Sequence, residues 1–161
     1  MLKKRVMTAA IMVPLVLGVI LFAHPFVLLG LMAFVYVLEL NEWARLVPVT
    51  TVKRRHLFFA LAFVAAVVCV FVYPVWLVLG LIIWLLVVLA VLTYPVSEPV
   101  WGRPLIVMTE GLILLPLASV SAGHIYLTAH GAWLVIYAIA LVGLSDTGAY
   151  FMGKKFGKHP L

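Results

Sequence analysis

Charge is what this chain lacks most. Only 10% of its 161 residues are Asp, Glu, Lys or Arg, against about 25% in ordinary soluble domains. Sixty-seven per cent are hydrophobic, and the mean hydropathy is +1.29. A soluble globular fold is excluded, and length counts membrane spans here rather than soluble domains. Cysteine is nearly absent. Cys69 stands alone within an apolar run, so no internal disulfide and no cysteine-rich metal site is available. It reads as a small buried hydrophobe. The five histidines are scattered without metal-ligand spacing. His124 is a candidate to face an inner cavity, against the plainer reading of a packed or interfacial side chain. No internal repeat and no long polar linker is visible.

What the chain has is apolar runs of membrane length. Six are expected, over residues 6–23, 26–46, 57–73, 75–92, 105–127 and 132–152. The expected fold is all-α, a polytopic integral membrane helical bundle of about six transmembrane helices. Lys3-Lys4-Arg5 before the first run resembles a secretory signal. No small-x-small site follows it, however, and a second run begins directly after His24-Pro25, so an uncleaved first span is expected. Pro48–His56 and Tyr94–Pro104 read as loops, and Pro74 as the break between the third and fourth spans. Glu42 and Arg45 are three apart on one helix face and can pair.

The basic residues test the span count. Lys3, Lys4, Arg5, Arg45, Lys53, Arg54, Arg55, Arg103, Lys154, Lys155 and Lys158 all fall on one side of an alternating six-span arrangement. The positive-inside rule makes that side cytoplasmic, with both termini there. The net charge of +6 is thereby read as topology, and nucleic acid is not an expected partner. Trp43, Trp76, Trp101 and Trp133 lie near span ends, as an interfacial belt would place them.

Candidate chemistry gathers at Gly143–Leu161, GLSDTGAYFMGKKFGKHPL. Asp146 lies about six residues inside the sixth span, roughly 9 Å from its end. A carboxylate at that depth costs a few kcal/mol unless it meets water, a partner or a metal. The alternative is a helix–helix hydrogen bond. At helical spacing Gly143, Asp146, Tyr150 and Gly153 form one stripe, flanked by Thr147 and Lys154. Such a stripe of small residues permits close approach of a ligand or of another helix. Lys154, Lys155 and Lys158 lie just beyond the span. They can hold phosphate as point charges, or serve only as topology signals in contact with anionic lipid. GKKFGK is only loosely like a phosphate-binding loop. Glu110 is the second intramembrane acid, at a depth that permits a cation site with Asp146 or a pair with Arg103 seven residues away.

The segment D-T-G-A-Y-F-x-G-K-x-F-G-K-H, Asp146 to His159, resembles the middle region of bacterial phosphatidate cytidylyltransferases. The opening M-L-K-K-R-V-x-T-A with Pro14, the pattern E-W-x-x-L at Glu42-Trp43 and Leu46, Tyr94-Pro95, and Gly111 with Pro116 are similar to the same family. The resemblance covers the whole chain. It implies transfer of a cytidylyl group from CTP to phosphatidic acid, giving CDP-diacylglycerol and pyrophosphate, with Mg²⁺ required. It implies a multi-pass protein of the bacterial inner membrane, in contact with membrane lipids and a candidate homodimer. On this reading Asp146 is the catalytic and metal-binding residue. Ser145, Thr147, Tyr150 and Gly153 line the substrate cavity, and Lys154, Lys155 and Lys158 hold phosphate. The family's Ser-Pro-x-x-Lys-Thr loop and C-terminal signature do not occur in these 161 residues, so the chain by itself is expected to be inactive. Two other classes stay open: a small transporter or channel-like bundle with Asp146 and Glu110 on an ion path, and a structural membrane protein.

Overall fold

The computed structural model describes residues 2–47 and 52–156, and every regular element among them is a helix. In order these are α1 (Leu2–Phe22), α2 (Pro25–Leu46), α3 (Val52–Phe71), α4 (Tyr73–Leu92), the short α5 (Glu98–Trp101), α6 (Pro104–Tyr126) and α7 (Gly131–Phe156). Five of them, α2, α3, α4, α6 and α7, are long and apolar enough to cross a membrane, and α1 adds a shorter apolar stretch, Ala10–Phe22. Large apolar side chains are exposed along all of these helices. In water that would be untenable; around a helical bundle in hydrocarbon it is the expected outside. The chain is a polytopic helical membrane protein.

Helix limits differ from the sequence reading where hydropathy is a poor guide to backbone. The expected loop 48–56 is helical from Val52, so Lys53, Arg54 and Arg55 belong to the start of α3; residues 48–51 lie outside the described set. The expected loop 94–104 contains α5. The end of α4 is capped by the side chains that follow it. There the Thr93 hydroxyl donates to the Leu89 carbonyl at 2.8 Å and the Ser97 hydroxyl to the Ala90 carbonyl at 2.7 Å. Pro74 does act as expected. It occupies the first turn of α4, where its missing N–H is not needed.

The chain divides into two compact units, Leu29–Gly123 and the pair of segments Met1–Leu28 and His124–Leu161. The Leu29–Gly123 unit is built on α2, α3 and α6. Tyr36, Leu40 and Ala44 of α2 and Phe58 and Ala62 of α3 form its buried core, with Met108, Leu112 and Leu115 of α6 packed against them. Side-chain donors reach across to backbone carbonyls. The Tyr36 hydroxyl donates to the Ala62 carbonyl at 2.7 Å, and the Trp43 indole N–H to the Val107 carbonyl at 2.8 Å. Trp43 also lies against Gly111, where a Cβ would collide with its ring. The Trp76 indole donates to the Ile113 carbonyl at 2.9 Å. That carbonyl is in the turn preceding Pro116, where the proline ring removes one helix N–H and crowds its neighbours. Trp43 and Trp76 are therefore interhelical locks, not merely parts of an interfacial belt. Cys69 is fully buried, as its apolar setting implied.

In the other unit α1 packs on α7. The connection into α7 is tight. The Gly131 N–H donates to the Thr128 carbonyl at 2.9 Å, and His130 has φ 60°. A Cβ at Gly131 would meet the backbone carbonyls of Ile125 and Tyr126, so glycine is required there.

Candidate functional site

α7 carries all the candidate site residues that the structure describes. It is one unbroken helix of 26 residues, so Gly143, Asp146, Tyr150 and Gly153 do share a face. The helix runs past residue 152, where the sequence reading ended the span. Gly153, Lys154 and Lys155 are therefore helical, not part of a loop. Two lysines in the last turn offset the partial negative charge at the helix C-terminus, which favours continuing the helix to Phe156. Lys158, together with the rest of residues 157–161, lies outside the described set. From Asp146 to Phe156 the helix rises about 15 Å, so the carboxylate is farther from the helix end than hydropathy alone suggested.

Asp146 is exposed. Every residue from Tyr137 to Phe156 is exposed, on all faces of the helix. No side-chain hydrogen bond or ion pair joins Asp146 to any other described residue, and the helix–helix hydrogen bond considered above is absent among them. Gly143, Gly148 and Gly153 have nothing within 4 Å of where a Cβ would stand. Contrast Gly80, where a Cβ would overlap the Leu117 side chain, and Gly111 under Trp43. Ser145 and Tyr150 are exposed. The Thr147 hydroxyl donates to the Gly143 carbonyl at 2.7 Å, which turns it back along its own helix. The Lys155 ammonium lies 5.5 Å from the Phe156 ring centre.

What this face can do chemically is limited and specific. It offers one carboxylate, two flanking hydroxyls and a phenol, two glycines without neighbours, Gly143 and Gly153, and two amines at the helix end. Among the described residues no group of three or more His, Cys, Asp or Glu side chains could cage a metal ion. A divalent cation held here would have to share its shell with ligand oxygens and water. Mg²⁺ accepts that arrangement, being bound through one or two carboxylates plus substrate phosphates. The donor set therefore fits a substrate-bridged Mg²⁺ and does not fit a structural metal.

The remaining intramembrane acids belong to the Leu29–Gly123 unit. Glu110 makes no ion pair with Arg103, and one carboxylate oxygen each of Glu39 and Glu110 is buried without a hydrogen-bond partner among the described residues. The exposed Glu42–Arg45 pair forms as expected, at 3.3 Å, and at such exposure contributes little. His124 is exposed.

A multi-pass helical membrane protein whose final described helix presents one carboxylate, open glycines and terminal lysines defines the class. Within that class, the chain belongs to the cytidylyltransferase family, whose model matches residues 3–161. It is 33% identical over 177 aligned residues to a phosphatidate cytidylyltransferase of Pseudomonas aeruginosa; the match takes in all of this chain and 60% of that protein. It is 26% identical over 188 aligned residues to a phosphatidate cytidylyltransferase of Haemophilus influenzae, covering all of this chain and 63% of that protein. The chain thus spans about three fifths of the length of these curated relatives. No solved structure matches it.

Proposed function

We propose that these residues belong to an enzyme that makes CDP-diacylglycerol from CTP and phosphatidic acid, in the cytoplasmic membrane of a bacterium. The observation that carries the reading is the family match, which runs from residue 3 to residue 161 and so includes the whole of α7. A phosphate oxygen of phosphatidic acid attacks the α-phosphorus of CTP. The bond from that phosphorus to the bridging oxygen breaks, and pyrophosphate leaves. Such a reaction needs a polar face near the headgroup level, where a lipid with buried tails and a dissolved nucleotide can meet.

Asp146 is the proposed cation ligand, positioned by the helical register of α7. Mg²⁺ bound there would supply charge neutralisation to the phosphates. Gly143 and Gly153, on the same stripe as Asp146, leave the backbone open to a bulky ligand. Ser145, Thr147 and Tyr150 line that approach, and Lys154, Lys155 and Lys158 draw and hold phosphate at its mouth. The sorting of all eleven basic residues to one side of an alternating six-span arrangement supports cytoplasmic termini. A homodimer is the assembly we propose for the enzyme.

The test joins this chain to the part of the Pseudomonas aeruginosa relative that its match leaves uncovered, and measures CTP-dependent formation of CDP-diacylglycerol in membranes. Turnover that requires both Mg²⁺ and Asp146 supports the reading. A fusion that turns over normally with Asp146→Asn removes Asp146 from it.

A further inference from the structure

A cavity of about 510 Å³ opens between α2 and α3, lined by Val37, Leu38, Asn41, Arg55, His56 and Phe59. Its lining is graded. Val37, Leu38 and Phe59 make an apolar trough, while Asn41, Arg55 and His56 gather at one end. That end is the start of α3, and α3 is one of the helices of membrane length, so the polar end lies at headgroup level and the trough runs into the hydrocarbon. Arg55 is already oriented. It donates to the Asn41 side-chain oxygen, and its guanidinium carbon stands 5.9 Å from the Phe59 ring centre. One hydrogen bond and one ring contact leave most of its five donors free.

The charge that lines this end has one sign. Lys53 and Arg54 precede Arg55 and are exposed. Two acids on α2 flank the lining residues, Glu39 and Glu42; Glu42 is engaged by Arg45 at 3.3 Å, Glu39 has one carboxylate oxygen buried, and neither lines the cavity. The first turn of a helix adds partial positive charge.

We infer that this groove holds an anionic glycerophospholipid, its phosphate between Arg55 and His56 and one acyl chain along Val37, Leu38 and Phe59. A free phosphate would satisfy the cations and leave the trough unfilled, whereas a zwitterionic lipid would set its own ammonium among the basic side chains. The occupant is therefore a lipid with net negative charge. The inference rests on the bilayer setting alone and not on the proposed enzymatic reaction.

Native mass spectrometry tests it. The chain, purified in mild detergent, is supplied with phosphatidylglycerol, phosphatidylcholine or inorganic phosphate, and bound lipid is counted per polypeptide. Phosphatidylglycerol should be retained in preference to phosphatidylcholine, and inorganic phosphate should not displace it. Arg55→Gln should weaken retention about fivefold, the factor for one basic residue at a headgroup surface. Lys53→Gln, which removes the same charge outside the groove, should change retention less than Arg55→Gln. Val37→Trp, which fills the trough and leaves the cations, should also release the lipid. Equal retention of the two lipids would overturn the inference. So would displacement by phosphate, or a loss from Lys53→Gln as large as that from Arg55→Gln. Circular dichroism confirms that each variant stays helical, and Arg55→Gln decides the matter if Val37→Trp does not fold.

Discussion

Replacing Gly111 by alanine probes the contact on which the α2–α6 packing turns. At this position the added methyl would fall on the Trp43 indole, meeting Nε1, Cδ1 and Cε2 together. The ring cannot simply rotate away, because its N–H is donated to the Val107 carbonyl at 2.8 Å. Either α2 and α6 move apart or the hydrogen bond breaks. Overpacking of this kind costs about 1–3 kcal/mol, and the bond a further ~1 kcal/mol if lost. For a chain of this size each kcal/mol lowers Tm by about 2–4 °C, so Gly111→Ala should melt several degrees early in detergent, followed by circular dichroism. A double-mutant cycle isolates the cause. Trp43→Leu is itself destabilising, since it empties a packed site, but it removes the ring that the methyl strikes. Gly111→Ala should therefore cost nothing more on the Trp43→Leu background. If Gly111→Ala is as stable as the parent, or if its penalty persists without Trp43, the interhelical lock is wrong.

The other expectations are smaller in scope. Tyr36→Phe removes the donor to the Ala62 carbonyl at 2.7 Å and should cost about 1 kcal/mol in the same melt; no change would mean that the carbonyl finds another donor. Gly131→Ala should destabilise more than alanine at Gly143, where nothing lies within 4 Å of the new Cβ; paired melting curves of the two variants check this. Glu110→Gln removes a carboxylate with one buried oxygen lacking a hydrogen-bond partner. Burying an unpaired charge is unfavourable, so this variant should be at least as stable as the parent, and a large loss would reveal a partner that binds Glu110.

The helices were legible because each apolar run is long and bounded by prolines or charges. The stripe Gly143–Asp146–Tyr150–Gly153 was legible for a similar reason, since helical period alone places it on one face. Ends were not legible where hydropathy and backbone part company. Lys53–Arg55 and Gly153–Lys155 look like loop by composition, yet helix costs lysine and arginine little. Nor were pairings between distant residues. Nothing local to Trp43 or Gly111, 68 positions apart, says that one lies on the other. The same holds for Asn41 and Arg55, which only the α2–α3 packing brings together. Periodicity places Asp146 on a stripe but does not encode what that stripe meets.

The role given to Asp146 is tested most directly by the Mg²⁺ dependence of CDP-diacylglycerol formation, in the fusion described above, for the parent and for Asp146→Asn. Loss of a group that stabilises charge at phosphate should lower turnover by about 100-fold or more, and raised Mg²⁺ should restore part of it. Turnover and Mg²⁺ dependence both unchanged in Asp146→Asn would contradict a cation-binding role for this carboxylate.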